Sequence, residues 1–178
     1  SGENGEHKIA LKNIPLTQDG SIYFQIENAM AAIGAAWALG FDWKVIREGL
    51  SSFISDSQTA PGRFNLFNYR NATLIADYGH NPDAIQALVS AIDNIPSKKR
   101  SVVISAAGDR RDEDIRLQTR IIGDAFDKVV LYQDQCQRGR ADGEVISLLR
   151  EGLGNASRTR KVSEIVGEAI AIDTALSN

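Results

Sequence analysis

A single turn, Asp77-Tyr78-Gly79-His80-Asn81-Pro82-Asp83, marks the point at which a strand pattern gives way to a helix pattern. Before it, residues 72–76 form a short apolar run with β-branched side chains, which is typical of a buried strand. After it, apolar residues recur at the spacing of one helix face, at Ile85, Leu88, Val89, Ile92 and Ile95. Positions 81 and 82 have the residue types of an N-cap and of a first helical position. The pattern therefore predicts that the turn lies at the carboxyl end of a strand, where open α/β sheets bind ligands.

Strand and helix patterns alternate along the rest of the chain. The runs 64–69 and 72–76 predict a hairpin-like pair. Further patterns predict a helix at 82–95, a strand at 100–105, a helix at 112–126, a strand at 128–132, a helix at 143–150, an extended piece at 159–162 and a helix at 164–176. This alternation predicts an α/β, Rossmann-like fold with a largely parallel sheet flanked by helices.

Two helices and a polar linker precede this alternating region. Residues 28–39 are apolar on nearly every side, which predicts a buried helix that ends at Gly40. Residues 55–62 read Ser-Asp-Ser-Gln-Thr-Ala-Pro-Gly, the composition of a linker. We therefore predict a helical tail of one domain over 1–57 and a second domain over 58–178. Because no strand pattern follows the last helix, we expect the second domain to be truncated before its last strand.

Composition and charge restrict the class of protein and its partners. The chain has 178 residues, a net charge of −3 and one cysteine, Cys136. This net charge gives no indication of broad electrostatic binding to nucleic acid or to an anionic membrane, so we expect neither as a partner. No signal-peptide pattern is visible, and the longest apolar stretch, 29–39, is too short to span a bilayer. Together with the single cysteine, these features predict a cytoplasmic protein.

Two further charged segments follow predicted strands. They read Ala107-Gly108-Asp109-Arg110-Arg111-Asp112-Glu113-Asp114 and Gln137-Arg138-Gly139-Arg140-Ala141-Asp142-Gly143-Glu144. Each could simply be the solvated start of a helix. In the first segment, Asp112 would then form an ordinary i,i+4 ion pair with Arg116. The alternative is a polar rim that recognises a charged substrate, which is favoured because three charged loops would share one edge of the sheet. The candidate substrate-binding residues of this rim are Asp109, Arg110, Arg138 and Arg140.

The residues of the opening turn leave several interpretations open. Asp77, His80 and Asp83 have a spacing that a metal site could use. The only other histidine, His7, lies near the terminus, so we predict no metal site. Asp77 and His80 could simply cap the turn. The interpretation that we favour is a ligand site in which Asp77 accepts hydrogen bonds from the hydroxyls of a sugar.

Arg63, in the run Pro61-Gly62-Arg63-Phe64, occupies the exit of the linker. It is either a solvated hinge residue or a cation that reaches phosphate across an interdomain cleft, since a guanidinium suits phosphate oxygens. The sequence has neither of the standard glycine-rich phosphate motifs, so any nucleotide site in this chain would be partial. Cys136 has no neighbouring histidine in sequence to activate it, and we predict no catalytic role for it.

The motifs on either side of the linker exit resemble those of the Mur ligase family. The segments 58–65 and 75–85 are similar to the junction and opening of the family's C-terminal domain. The run Glu27-Asn28-Ala29-Met30-Ala31-Ala32 is similar to the Asn-x-x-Ala-Ala helix that closes the family's central ATPase domain. The resemblance extends over nearly all of the chain. It implies that residues 1–57 end the central domain and that residues 58–178 form a Mur ligase C-terminal domain.

The resemblance also implies which side chains meet ATP. Asn28 corresponds to the asparagine that contacts the adenine side, and Arg63 to the arginine that approaches phosphate or ribose. Asp77 corresponds to the aspartate that holds the ribose, with His80 close to the nucleotide. The family's phosphate loop, its central-domain lysine and its Mg²⁺ ligands have no counterpart in this sequence. The resemblance thus implies ATP and Mg²⁺ as cofactors, no catalytic residue within this stretch and no activity of the stretch alone.

The implied reaction is amide ligation through an acyl phosphate. ATP phosphorylates a carboxylate, and the amine of an amino acid then displaces the phosphate. Within the family, the chain most resembles members that add arginine to the aspartate side chains of a polyaspartate-type acceptor, in a parent expected to be a homo-oligomer. Candidate carboxylates for an arginine substrate are Asp109, Asp112, Glu113, Asp114 and Asp134. The alternatives are another Mur-type ligase, of peptidoglycan or polyglutamate synthesis, and a non-catalytic nucleotide-binding module.

Overall fold

The computed structural model describes residues 5–177 of the chain. Two short 3₁₀ helices, Leu11–Asn13 and Pro15–Thr17, precede the regular elements. The α-helices are α1 (Tyr23–Ala38), α2 (Trp43–Ser52), α3 (Pro82–Ile92), α4 (Asp112–Ala125), α5 (Glu144–Gly152) and α6 (Glu168–Leu176). The strands are β1 (Asn65–Tyr69), β2 (Ala72–Ala76), β3 (Ser101–Ile104), β4 (Lys128–Gln133) and β5 (Lys161–Val166). In the part of the chain that the structure describes, no helix is both long enough and apolar enough to cross a membrane.

The chain folds as two compact units, one up to Tyr78 and the other from Gly79. The predicted domain boundary after residue 57 falls inside the first unit, at a tight turn. Asp56 closes this turn by accepting hydrogen bonds from the backbone N–H groups of Gln58 and Thr59, each at 2.8 Å. The division into domains at this turn stays a prediction.

The first unit ends in an antiparallel hairpin, which confirms the predicted pair. Asn65 of β1 lies opposite Ala76 of β2, and Tyr69 lies opposite Ala72. Arg70 turns the chain with a φ of 52°, and its guanidinium lies 5.1 Å from the centroid of the Tyr69 ring. The hairpin therefore leads directly from the linker exit to the Asp77 turn.

The apolar helix before the linker is exposed, so the prediction that it is buried was wrong. α1 buries only Gln25 and Ala29, while Met30 and Trp37 are 64% and 50% exposed. The helix packs on the second 3₁₀ helix and on α2, which are both short. Apolar residues on every side of a helix allow burial, but neighbouring elements must be present to cover each side.

The second unit contains a parallel sheet with the strand order β3-β4-β5. The register pairs Val102 with Val129 and Val129 with Val162. This arrangement confirms the predicted α/β class with a parallel sheet. The three charged loops were expected to share one edge of a sheet, but the strand before the Asp77 turn, β2, pairs with β1 in a separate two-stranded sheet. The edge formed by the carboxyl ends of β3 and β4 therefore carries two of the three predicted loops, and the Asp77 turn follows a hairpin instead.

The central strand of this sheet is covered on both faces. Val129, Val130 and Leu131 of β4 are fully buried, and successive side chains of a strand point to opposite faces. α6 packs against all three strands, and α5 packs on β4 and on α4. A continuous run of buried β-branched and leucine side chains is typical of a parallel strand between helical layers.

Local sequence signals set the beginning of α3 and failed at the beginning of α6. Asn81 caps α3 as predicted, since its Oδ1 accepts a hydrogen bond from the backbone N–H of Ala84 at 2.8 Å. Residues 164–166 were predicted as helix but belong to β5, where they pair with residues 131–133 of β4. Gly167, with a φ of 95°, separates the strand from α6. Pairing with the buried central strand outweighed the helical pattern of these residues.

Asp127 ties three segments of the second unit together just before β4. Its carboxylate accepts hydrogen bonds from Arg158 Nε and Nη2 at 3.2 and 3.0 Å and from the backbone N–H of Arg100 at 2.8 Å. The hydrogen bonds from Arg158 contribute most to lowering the pKa of the Asp127 carboxyl below its ordinary value, and the hydrogen bond from the Arg100 backbone contributes next. Asp127 therefore favours the folded state most strongly when it is ionised.

We expect the stability of this chain to fall in acid partly through Asp127. A carboxyl whose pKa is lower in the folded than in the unfolded state stabilises the fold above the unfolded pKa, about 4. That contribution decreases as the pH falls through the unfolded pKa and towards the folded one. Urea unfolding at pH 7, 5, 4 and 3 should show a smaller acid loss for Asp127→Asn than for the unchanged chain. Equal acid losses in the two proteins would contradict this assignment, and Asp142→Asn, at an exposed carboxyl, is the control.

Candidate functional site

The loop before β1 presents Arg63 at the surface. We call residues 60–64 the Arg63 loop. Arg63 is exposed, and its guanidinium carbon lies 6.0 Å from the centroid of the Tyr78 ring. The Tyr78 side chain is itself 58% exposed. The aromatic face orients the cation without neutralising its charge. The loop therefore offers a guanidinium with a geometry suited to phosphate oxygens.

The backbone on both sides of Arg63 is in the left-handed region. Gly62 has a φ of 71° and Phe64 a φ of 52°. Glycine adopts this conformation readily, whereas an aromatic residue rarely does. The Phe64 side chain is 5% exposed and packs edge-to-face on Phe24 of α1, with ring centroids 5.5 Å apart. Burial of this ring helps to hold the unfavourable backbone conformation in place.

Two polar side chains fix the shape of the Arg63 loop. Asn65, only 2% exposed, accepts a hydrogen bond from Gly62 N–H at 2.7 Å and donates to the carbonyl oxygens of Ala60 and Arg63 at 3.1 and 3.5 Å. Asp77 Oδ2 accepts a hydrogen bond from Phe64 N–H at 2.9 Å. The carboxylate predicted to hold a sugar thus also holds the loop that carries Arg63. A carboxylate can accept further hydrogen bonds, so the ribose contact of Asp77 stays a prediction.

Asn28 lies on the side of α1 that faces the Arg63 loop. It follows Phe24 by four residues, which places both on the same face of the helix, and Phe24 contacts Phe64 of the loop. Asn28 is exposed and donates a hydrogen bond to Gln25 Oε1 at 2.9 Å. The first unit thus contains three of the four predicted nucleotide-binding residues. The fourth, His80, belongs to the second unit, next to the N-cap of α3.

The two charged loops at the edge of the parallel sheet are joined by Arg140. It donates to the carbonyl oxygens of Gly108 at 2.6 Å and Arg110 at 2.8 Å, and to Asp112 and Glu144 at 2.7 and 2.6 Å. Its side chain is 16% exposed. The hydrogen bonds to Asp112 and Glu144 raise the pKa of the guanidinium further above its ordinary value. These contacts favour a role for Arg140 in holding the two loops together, beside the predicted contact with substrate.

Arg138 and Gly108 form further contacts between the same two loops. Arg138 pairs with Asp109, with an Nη1–Oδ2 distance of 3.2 Å. A Cβ atom at Gly108 would overlap with the backbone carbonyl of Gln137, so the close approach of the loops requires glycine at this position. Arg110, the remaining candidate, is exposed on the first loop. The four predicted substrate-binding residues therefore lie on two joined loops at the carboxyl ends of β3 and β4.

Most carboxylates proposed for an arginine substrate already contact arginines of the chain. Asp114 accepts two hydrogen bonds from Arg111, at 3.0 and 2.9 Å, which lower the pKa of its carboxyl. Asp109 and Asp112 are paired as described above, and Glu113 is exposed at the start of α4. Asp134 accepts a hydrogen bond from the backbone N–H of Cys136 at 3.4 Å. An incoming guanidinium would thus share or replace existing ion pairs at this rim. Over residues 5–177, no group of three or more His, Cys, Asp or Glu side chains is arranged to hold a metal ion.

Sequence reasoning missed the residues that support the Arg63 loop. Asn65 reads as the first residue of a strand, and its side chain turns back to the loop that precedes it. Phe24 reads as part of an apolar run. The one available signal is an asparagine directly after Gly-Arg-Phe, since asparagine side chains often bond the backbone of tight turns.

A family model for the Mur ligase, glutamate ligase domain, matches residues 62–178. The chain therefore belongs to this family, and the resemblance seen in segments 58–65 and 75–85 is confirmed. The chain is 36% identical to cyanophycin synthetase of Geminocystis herdmanii over 165 residues, which cover 93% of this chain and 19% of that protein. It thus spans about a fifth of the length of this relative.

Other members of the family are also similar to the chain. It is 31% identical, over 156 residues, to the UDP-N-acetylmuramoyl-L-alanyl-D-glutamate–2,6-diaminopimelate ligase of Caldanaerobacter subterraneus. This match covers 87% of this chain and 31% of that ligase. Among solved structures, folylpolyglutamate synthase of Mycobacterium tuberculosis, complexed with ADP and AMPPCP, superposes with a TM-score of 0.67 at 23% identity. That match covers 87% of this chain and 33% of the synthase, and it shows a shared fold.

Proposed function

We propose that this chain is the C-terminal domain of an ATP-dependent amide ligase similar to cyanophycin synthetase, together with the tail of the preceding central domain. In this proposal residues 1–57 belong to the central domain and residues 58–178 to the C-terminal domain. The observation that carries the proposal is the 36% identity to cyanophycin synthetase over 93% of the chain. The shape of the Arg63 loop supports it, because an oriented, exposed guanidinium suits the phosphates of a nucleotide.

The proposed reaction joins arginine to the side-chain carboxylate of aspartate in a polyaspartate-type acceptor. ATP transfers its terminal phosphoryl group to the carboxylate, and the amine of arginine displaces phosphate to form the amide. Positioning and charge stabilisation dominate phosphoryl transfer, so a cation held in a fixed place contributes directly. In this scheme Arg63 binds phosphate or ribose oxygens, Asn28 the adenine, and Asp77 the ribose, with His80 nearby. In the same scheme the joined loops with Asp109, Arg110, Arg138 and Arg140 bind the incoming amino acid.

The remaining parts of the proposal concern the parent protein. We assign Mg²⁺ to the parent together with ATP, with most of its ligands outside this chain, and derive no step through the metal. The phosphate-binding loop is likewise assigned to the rest of the parent, so residues 1–178 alone are expected to be inactive. The single cysteine of this stretch supports a cytoplasmic parent, and we propose in addition that the parent is a homo-oligomer.

The proposal is tested with Arg63→Ala in the parent protein. ATP turnover would be measured with an aspartate–arginine primer and free arginine. Loss of one charge-assisted hydrogen bond costs about 1.5–3 kcal/mol, and about 1.4 kcal/mol corresponds to a tenfold change. We therefore expect the KM for ATP to rise about tenfold or more, with a smaller change in the KM for arginine.

The matched control is Lys44→Ala, which removes an exposed cation from α2 of the same unit. It should leave the KM for ATP unchanged. Turnover that does not depend on primer and arginine would contradict the proposed reaction. An unchanged KM for ATP in Arg63→Ala would contradict the role of Arg63.

A diaminopimelate-adding ligase is the second candidate, because the chain is 31% identical to such an enzyme. The same ATP assay distinguishes the two when diaminopimelate and a UDP-N-acetylmuramoyl dipeptide replace arginine and the primer. Turnover with only the second pair of substrates would assign the parent to that reaction. ATP binding without turnover on either pair would favour a non-catalytic nucleotide-binding module.

A further inference from the structure

Asn65 is a buried amide whose hydrogen bonds all go to the loop that presents Arg63. It is 2% exposed and is the first residue of β1. Its Oδ1 accepts from Gly62 N–H at 2.7 Å, and its Nδ2 donates to Ala60 and Arg63 carbonyl oxygens at 3.1 and 3.5 Å. One side chain therefore bonds the backbone before Arg63 and the carbonyl group of Arg63 itself.

The other backbone groups around Arg63 are also fixed. The Arg63 carbonyl accepts a second hydrogen bond from Ser55 Oγ at 3.1 Å, and the Gly62 carbonyl accepts one from Tyr78 N–H at 2.8 Å. Phe64 N–H donates to Asp77 at 2.9 Å. Every hydrogen bond named here is local to the linker exit and the end of the hairpin. Asn65 is the one buried side chain among these donors and acceptors, so water competes least for its bonds.

The conformation that these bonds maintain is intrinsically unfavourable. Arg63 lies between two residues of positive φ, 71° at Gly62 and 52° at Phe64. A left-handed aromatic residue persists only where its surroundings determine it several times over, and such strain is concentrated at functional sites. Without the Asn65 amide, the loop would have more freedom and Arg63 would have more orientations.

We propose that Asn65 is a positioning residue for nucleotide binding, because it holds the Arg63 loop in the strained shape that presents the Arg63 guanidinium. This inference rests on the proposed contact between Arg63 and ATP. A preformed loop lowers the ordering cost of binding, so the benefit of Asn65 is realised through Arg63. The effect of removing Asn65 should therefore depend on whether Arg63 is present.

A double-mutant cycle in the parent protein tests this dependence. Asn65→Ala is expected to raise the KM for ATP about fivefold, with a smaller change in kcat. In the Arg63→Ala background, the same substitution should produce no further rise in the KM for ATP. If the double variant instead shows the product of the two single rises in the KM for ATP, the inference is overturned, because Asn65 would then act independently of Arg63.

Two further variants separate positioning from general loss of structure. Asn65→Asp keeps an acceptor for Gly62 N–H but loses the donor to Ala60 and Arg63, so an intermediate KM for ATP is expected. Asn68→Ala, an exposed asparagine of the same strand, should match the unchanged protein. All variants would be assayed below their unfolding midpoints, which circular dichroism would measure.

The failure of the inference and that of the proposed function give different results. If Arg63→Ala leaves the KM for ATP unchanged, the nucleotide contact of Arg63 is wrong. If Arg63→Ala raises that KM while both Asn65 variants leave it unchanged, the contact stands and Asn65 has no positioning role. If Asn65→Ala does not fold, Asn65→Asp takes its place in the double-mutant cycle. The inference then stands only if Asn65→Asp raises the KM for ATP when Arg63 is present and not in the Arg63→Ala background.

Discussion

Gly152→Ala is expected to destabilise the second unit by about 3 kcal/mol, within the range of overpacked cores. Gly152 ends α5 where that helix packs on α4. A Cβ atom there would overlap with Thr119 Oγ1 and with the carbonyl oxygen of Arg116. Thr119 is fully buried and is hydrogen-bonded to the backbone of its own helix, at 3.2 Å to Arg116. The Arg116 carbonyl oxygen belongs to the backbone of α4 and cannot move aside without shifting that helix, so the helices must separate.

This prediction is checked by thermal unfolding followed by circular dichroism. For a unit of about 100 residues, such a loss lowers the midpoint by about 10 °C or more. Gly49→Ala is the matched control, because a Cβ atom at Gly49 of α2 would meet nothing within 4 Å. Alanine should there raise stability slightly, since it is the better helix former. An unchanged midpoint in Gly152→Ala would show that α4 and α5 do not pack as closely as described.

Arg140→Ala is expected to lower the unfolding midpoint by several degrees and to loosen the rim of the parallel sheet. The substitution removes hydrogen bonds to two main-chain carbonyl groups and two carboxylates. It also leaves Asp112 and Glu144 without their strongest partner, and Gly108 and Arg110 with unpaired carbonyl groups. Arg140→Lys should recover only part of the loss, because an ammonium cannot reproduce the planar fork of donors.

The control for Arg140 is Arg110→Ala, which removes an exposed cation of the same rim. Its midpoint should stay close to that of the unchanged chain. The comparison also separates two roles of Arg140. If Arg140→Ala keeps its stability but weakens binding of the amino acid by the parent protein, a direct contact with substrate is favoured over a contact between loops.

Much of the second unit could be predicted from short stretches of sequence. The strand-to-helix turn at residues 76–84 is encoded locally, because the cap Asn81 and its partner Ala84 are three residues apart. β4 could be recognised because its residues are apolar on both faces, which a strand between helical layers requires. The family resemblance likewise rested on contiguous runs, which can be read without knowledge of their neighbours.

The errors arose where burial or pairing depended on distant elements. α1 is apolar nearly all round, but the second 3₁₀ helix, α2 and the Phe64 ring cover only part of it, so much of its apolar surface is exposed. Residues 164–166 carry a helical pattern, but pairing with β4 makes them a strand. β2 pairs with β1 in the predicted hairpin, but it does not belong to the parallel sheet. In each case the surroundings of a segment depended on other elements of the fold, which its own local pattern does not describe.

The sequence by itself determined the family, the alternation of strands and helices, and the residue types of the candidate site, because these depend on neighbours a few positions apart. Only the tertiary structure decided what those residues do for one another. It placed Asp77 against Phe64, 13 positions away, and Arg140 against Gly108, 32 positions away. Hydrogen bonds of this kind depend on the path of the backbone between the partners, which no local pattern encodes. The support of Arg63 by a buried amide and a carboxylate is therefore a property of the folded chain.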